Sequence, residues 1–108
     1  MKLDNKLEQL LSLLKDMPNE PFILFALAQE CAKKGIVSEA LKYYERIVET
    51  SPGYTGTYYH LGKLYEELGR KDDALSVYKK GMEITQKKGD HHALSELQSA
   101  LSLISDED

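Results

Sequence analysis

Apolar residues recur along most of the chain with the period of a helix. Leu24, Leu27, Ala28 and Cys31 stand at i, i+3, i+4 and i+7, and Tyr58, Leu61, Gly62 and Tyr65 repeat that stripe. Each stripe stops just before a glycine, Gly35 or Gly69, which suits a left-handed helix terminus. A second stripe follows each glycine: Ala40, Leu41, Tyr44, Ile47 and Val48, then Ala74, Leu75, Tyr78, Gly81 and Met82. Ser38 and Asp72 offer side-chain oxygens as caps for these second helices, and Glu39 and Asp73 place negative charge near their positive ends. The pattern predicts an all-α chain built on two helical hairpins.

The hairpins are copies of one unit. A slide of 34 residues brings Leu27 onto Leu61, Ala28 onto Gly62, Gly35 onto Gly69, Ala40 onto Ala74, Leu41 onto Leu75 and Tyr44 onto Tyr78. Pro18 moves onto Pro52 and Ser38 onto Asp72, so turn residues recur with the apolar positions. A period of this length marks a repeat architecture.

These residues resemble the tetratricopeptide repeat, whose unit sets a large residue, Leu, a small residue and Tyr on one helix, then Ala, a large aromatic and Pro. The first unit reads Leu24, Leu27, Ala28, Cys31, Ala40, Tyr44 and Pro52; the second reads Tyr58, Leu61, Gly62, Tyr65, Ala74 and Tyr78, with Gln86 in place of the closing proline. The usual tryptophan is absent and Cys31 replaces a tyrosine, which makes the first unit the more degenerate. The resemblance covers about residues 19–86. It implies a right-handed α-solenoid of antiparallel helix hairpins, in the manner of a small two-repeat protein of the bacterial type. Small residues at Ala28, Gly62, Ala40 and Ala74 are then expected where paired helices approach, with Tyr44 and Tyr78 filling the space between successive hairpins.

The flanks extend the same stack. Leu7, Leu10, Leu13 and Leu14 fall under Leu41, Tyr44, Ile47 and Val48 after the same shift, so residues 1–17 read as a capping helix. Residues 19–52 and 53–88 form the two repeats. Residues 89–104 match a first helix after a shift of 36, with Leu94, Leu97 and Leu101 as the core stripe and the two extra residues placed near Gly89. Gln98 occupies the small slot of Gly62, so this helix is read as the closing cap, and 105–108 as an acidic tail. One domain of about six helices supplies roughly the three units that such arrays need.

Composition narrows the function. With 42% hydrophobic and 30% charged residues the chain can build a core, so global disorder is not expected. A net charge of −4 opposes nucleic-acid binding, and one cysteine excludes an internal disulfide. No apolar run approaches the ~20 residues of a membrane span, and the charged leucine-rich start differs from a signal peptide, so no membrane association and a cytoplasmic location are expected.

Catalytic chemistry finds little support. Cys31 lies on a core stripe and is read as a buried thiol. His91 and His92 are adjacent and point about 100° apart on a helix; His92 and Glu96 share a face but lack a third ligand, so neither metal nor other cofactor is expected. His60 is read as a surface or partner-contacting group, and Lys79, Lys80, Lys87 and Lys88 as a solvated helix face. None of the nucleotide-binding, zinc-protease or nucleophile-elbow strings occurs.

One stripe on the first helix of each repeat remains: Phe22, Phe25, Gln29 and Ala32, then Gly56, Tyr59, Lys63 and Glu66. The resemblance implies that this stripe lines a concave groove for partner peptides, and exposed aromatic residues mark such sites. Phe22, Phe25 and Tyr59 are expected as an aromatic floor, with Gln29, Lys63 and Glu66 as a polar margin. Two arrangements stay open, an accessible groove or one covered by the last helix through Ala93, Leu97 and Ala100. Relatives that clamp a carboxylate use Lys and Asn; only Lys63 fits that chemistry. Leu3, Leu7, Leu10 and Leu14 form a short heptad-like seam, from which a monomer or weak homodimer is expected and homo-oligomeric assembly is the alternative function.

The repeat register has a direct test. Ala74→Leu should overpack the hairpin and cost ~1–3 kcal/mol, whereas Lys80→Ala should cost under ~0.5 kcal/mol. Equal denaturation midpoints for the two variants would contradict the register.

Overall fold

The computed structural model describes residues 5–105, and the described residues form six α-helices. These are α1 (Asn5–Asp16), α2 (Pro21–Lys33), α3 (Val37–Thr50), α4 (Gly56–Glu67), α5 (Lys71–Lys88) and α6 (His91–Ser105). The expected Leu3 and residues 106–108 of the acidic tail lie outside the described residues, and Ser105 ends α6 instead of opening the tail. Two compact units divide at Ser51 and Pro52, α1–α3 in one and α4–α6 in the other.

In the first unit α2 and α3 pair as a hairpin and α1 packs on α2. Leu24, Leu27, Ala28 and Cys31 are buried as the stripe predicts, joined by Ile23, and α3 buries Ala40, Tyr44 and Ile47. Pro21 opens α2, and the Glu20 carboxylate accepts a hydrogen bond from the Phe22 backbone N–H. An unforeseen buried carboxylate lies on this helix: Glu30 is ion-paired with Lys6 of α1 at 3.3 Å and with Lys34 at 3.5 Å. Lys6 therefore joins α1 to α2 by charge, whereas none of the described side chains of α1 is fully buried.

The hairpin turns repeat one geometry. Gly35 and Gly69 adopt φ of +78° and +74°, conformations that only glycine takes at low cost. The Ile36 N–H reaches back to the Cys31 carbonyl at 2.8 Å, and the Arg70 N–H to the Tyr65 carbonyl at 2.8 Å. The Gly35 and Gly69 N–H groups bond Ala32 and Glu66, completing a Schellman closure in each case. Each closure leads straight into the next helix, so Ile36 and Arg70 hold the N-cap positions and no side chain caps either helix. This corrects the expectation for Ser38 and Asp72, which lie one residue inside α3 and α5. Glu39, Asp72 and Asp73 sit in the first turns, where they face the dipole.

In the second unit α5 pairs with both α4 and α6, and α6 also touches α4. A Cβ at Gly62 would fall inside the Tyr78 ring, so α4 and α5 approach as closely as glycine allows. At Gly81 a Cβ would come within 2.6 Å of Tyr58 Cβ and 2.9 Å of Leu97 Cδ1, side chains of α4 and α6. Tyr78 thus packs within its own hairpin, and Tyr44 meets Phe25 of its own hairpin, edge to face at 5.9 Å. The α6 core is Leu97, Ala100 and Ile104, with Leu94 and Leu101 only half-buried, a rotation of the expected stripe. The insertion near Gly89 is taken up as helix: α5 has 18 residues where α3 has 14. With Gln86 in the proline slot nothing stops α5 until Gly89 closes it.

Gly62 supplies a sign test. Replacing glycine by alanine inside a helix usually stabilises by about 0.5–1 kcal/mol. Gly62→Ala should instead destabilise by about 1–3 kcal/mol because the methyl displaces the Tyr78 ring. Gly56→Ala, whose methyl meets open space, should be neutral or stabilising; urea midpoints of the two variants decide the point.

Candidate functional site

The predicted stripe is distributed over the two units. On α2, Phe22, Phe25 and Gln29 share one face by their spacing of three and four residues. Phe22 is 68% exposed and Gln29 is exposed, whereas Phe25 is half-buried against Tyr44. On α4, Tyr59, Lys63 and Glu66 are all half-buried. The Tyr59 ring meets the His60 ring edge to face at 5.6 Å.

In the second unit α6 forms the opposite wall of an open cleft rather than a lid. Tyr59 and Lys63 of α4 face His92, Ser95, Glu96, Ser99, Ala100 and Leu103 of α6 across a volume of about 300 Å³. Leu103 is 69% exposed and belongs to no core stripe. Of the covering residues considered, Leu97 and Ala100 are buried in the α6 core, and Tyr59 stays accessible from the cleft. The α6 wall was missed by sequence reasoning, although its signal was present. The same offset of 36 residues that aligns α6 with α4 carries Gly56, Tyr59 and Lys63 onto His92, Ser95 and Ser99.

Charges in and behind the cleft are paired within their own elements. Lys63 Nζ lies 3.8 Å from Glu66 Oε2, and that oxygen also accepts the hydrogen bond of the Tyr78 hydroxyl. Burial, then the bond to Glu66, pushes the Tyr78 phenol far above its ordinary value, so it remains a donor. His92 Nε2 lies 3.8 Å from Glu96 Oε2. Burial lowers the His60 imidazole from its ordinary 6.5, and the Glu96 carboxylate partly opposes the shift. Among the described residues no three His, Cys, Asp or Glu side chains gather as a metal site. Cys31 is buried, and burial first, then Glu39 and Glu30, raises its thiol away from the reactive thiolate.

A polar clasp fixes the α6 wall. Asp90 caps α6 by accepting from the Ala93 N–H at 3.2 Å, and its other oxygen accepts from the Thr55 hydroxyl at 2.9 Å. Lys88 Nζ donates to the Gly53 carbonyl at 2.7 Å, so one member of the basic cluster is structural. The Tyr58 hydroxyl donates to the Pro52 carbonyl at 2.6 Å.

The profile of the family described as regulator of microtubule dynamics protein 1-3 matches residues 11–105. The chain belongs to this family. The six-helix fold agrees with solved structures of tetratricopeptide repeat domain proteins. One from Salinibacter ruber, in its crystal structure, is 48% identical, covers 82% of this chain and 99% of its own, and superposes with a TM-score of 0.79. A solution structure of a Salinibacter ruber tetratricopeptide repeat domain protein is 52% identical over 78% of this chain and 85% of its own, with a TM-score of 0.74. A protein from Bordetella parapertussis shares the fold at 24% identity, covering 98% of this chain and 92% of its own, with a TM-score of 0.81. Among curated proteins no match emerges. The fold of this family member is therefore all-α and of the tetratricopeptide type, and among the described residues no helix is long and apolar enough to cross a membrane.

Two groups separate the pH dependence of its stability. His60 has a folded value below its unfolded one, so its contribution is complete above about pH 6.5 and is lost as pH falls through the folded value. Asp90 is held below its ordinary 3.8, first by the Thr55 bond and then by the Ala93 N–H, so its contribution is lost only in more acidic solution. His60→Gln should flatten the fall in Tm between about pH 7 and 5 and leave the decline below about pH 4; Asp90→Asn should do the reverse. Thermal melts across this range, with both variants showing the wild-type profile, would refute the assignment.

Proposed function

We propose that the chain is a non-enzymatic interaction module that captures a partner protein or peptide on the stripe formed by Phe22, Phe25 and Gln29 in one unit and Tyr59, Lys63 and Glu66 in the other. The observation that carries this reading is the open α4–α6 cleft, where the Tyr59 ring and exposed Leu103 stand among polar side chains. Clefts of this kind orient a ligand with a few polar groups and hold it by apolar contact. Phe22 adds an exposed aromatic side chain on α2. The module works in the cytoplasm as one repeat domain of the small bacterial type, without cofactor, nucleic acid or membrane.

A second reading, homo-oligomeric assembly through α1, draws on the exposure of Leu13 and Met17, each 45%. Under the leading reading the chain is a monomer or weak homodimer, and light scattering that finds a dimer at nanomolar concentration would favour assembly.

The binding test uses Phe22→Ala with Tyr59→Ala, because truncating Phe25 also removes its contact with Tyr44. Loss of a central aromatic anchor costs about 2 kcal/mol or more of binding. The double variant should lose partner capture in pull-downs with unchanged far-ultraviolet circular dichroism, and Lys42→Ala should retain it. Full retention by the double variant would move the assembly reading ahead.

A further inference from the structure

The charged groups of the α4–α6 cleft are unequally engaged. Lys63 faces Glu66 one turn further along its own helix, and the Tyr78 hydroxyl holds that carboxylate in place. The lysine is thus matched by a fixed anion before any ligand arrives. Among the described residues, Glu96 on the opposite wall is paired with an imidazole alone: His92 neutralises it solely when protonated. The other imidazole that senses Glu96, His60, is biased by burial toward its neutral form. The charge left for a partner to satisfy is therefore negative, and it lies on α6.

Around this carboxylate the lining has a definite order. Tyr59 and Leu103 offer apolar surface, and Ser95 and Ser99 offer hydroxyls that can donate to or accept from an extended backbone. The net charge of −4 favours approach of a cation.

We propose that this cleft binds a basic peptide segment, with an apolar side chain against Tyr59 and Leu103 and a neighbouring arginine or lysine paired to Glu96. The proposal rests on the interaction-module reading and names the chemistry of its partner. An arginine meets a carboxylate through two parallel N–H bonds and also stacks on a tyrosine face. A glutamate in its place would meet Glu96 with like charge, and Lys63, the lysine among the described residues that line the cleft, is already paired with Glu66. Lys63, the stripe residue that fits carboxylate-clamp chemistry, is then paired with Glu66 and not with the ligand.

Two matched probes test the assignment on the full chain labelled with nitrogen-15: acetyl-Leu-Arg-amide and acetyl-Leu-Glu-amide, titrated at millimolar concentration. The arginine probe should shift the amide resonances of Lys63, Ser95, Glu96, Ser99 and Leu103 saturably and bind at least about fivefold more tightly than the glutamate probe. Glu96→Gln, at an exposed position, should erase that preference with the rest of the spectrum unchanged. Equal or tighter binding of the glutamate probe, or an arginine preference that survives Glu96→Gln, overturns the proposal while leaving the cleft a binding site. If neither probe moves these resonances the proposal also falls, and the interaction-module reading is then decided by the Phe22 and Tyr59 pull-down alone.

Discussion

Three helices of the second unit converge on the missing side chain of Gly81. Tyr58 of α4 and Leu97 of α6 both occupy space that any Cβ there would need. Glycine costs a helix roughly 1 kcal/mol of propensity, so α5 carries that cost for contact on two sides at once. Gly62 makes the complementary exchange on α4, where the Tyr78 ring lies over bare backbone. Both aromatic rings are fully buried and so contribute their whole apolar area to the core.

The cleft follows from this packing. With Leu97 seated at Gly81, α6 turns Ala100 and Ile104 inward and leaves His92, Ser95, Ser99 and Leu103 along its outer edge, opposite Tyr59 and Lys63. Asp90 and Lys88 fix the start of that wall through Thr55 and Gly53. The binding surface is therefore held by rigid elements, the condition under which side-chain placement is most reproducible. Tyr78 links core to surface: its ring packs on Gly62 while its hydroxyl holds Glu66.

Much of this was legible because a helix hairpin repeats its constraints. The stripes from Leu24 to Cys31 and from Tyr58 to Tyr65, and the left-handed glycines at 35 and 69, follow from periodicity and backbone sterics alone. The caps were misread because Ser38 and Asp72 have capping chemistry, but the Schellman closure had already consumed the loop length a cap requires. The α6 stripe was misplaced because Leu94, Leu97 and Leu101 outweigh Ala100 in hydrophobicity, yet the small residue fits the close approach. Buried Glu30 was invisible for another reason: Lys34 stands one turn along the same helix but Lys6 lies on α1, and pairing makes that burial tolerable. The candidate site was half legible, since hydrophobicity marks the α4 stripe, whereas the α6 wall is rich in serine and shows only through the 36-residue offset that aligns α6 with α4.

The four additional residues of α5 bear on how such a chain can be lengthened. At 1.5 Å per residue they carry the following turn about 6 Å beyond the point where α3 ends its own run. The connection shortens in compensation: five residues separate α3 from α4 and two separate α5 from α6, so the first helices α2, α4 and α6 start at residues 21, 56 and 91, 35 apart each time. A second helix can therefore lengthen by a turn without disturbing the recurrence of first helices, and the missing proline at Gln86 moves the turn to Gly89 while leaving α6 free to pack on α4 and α5.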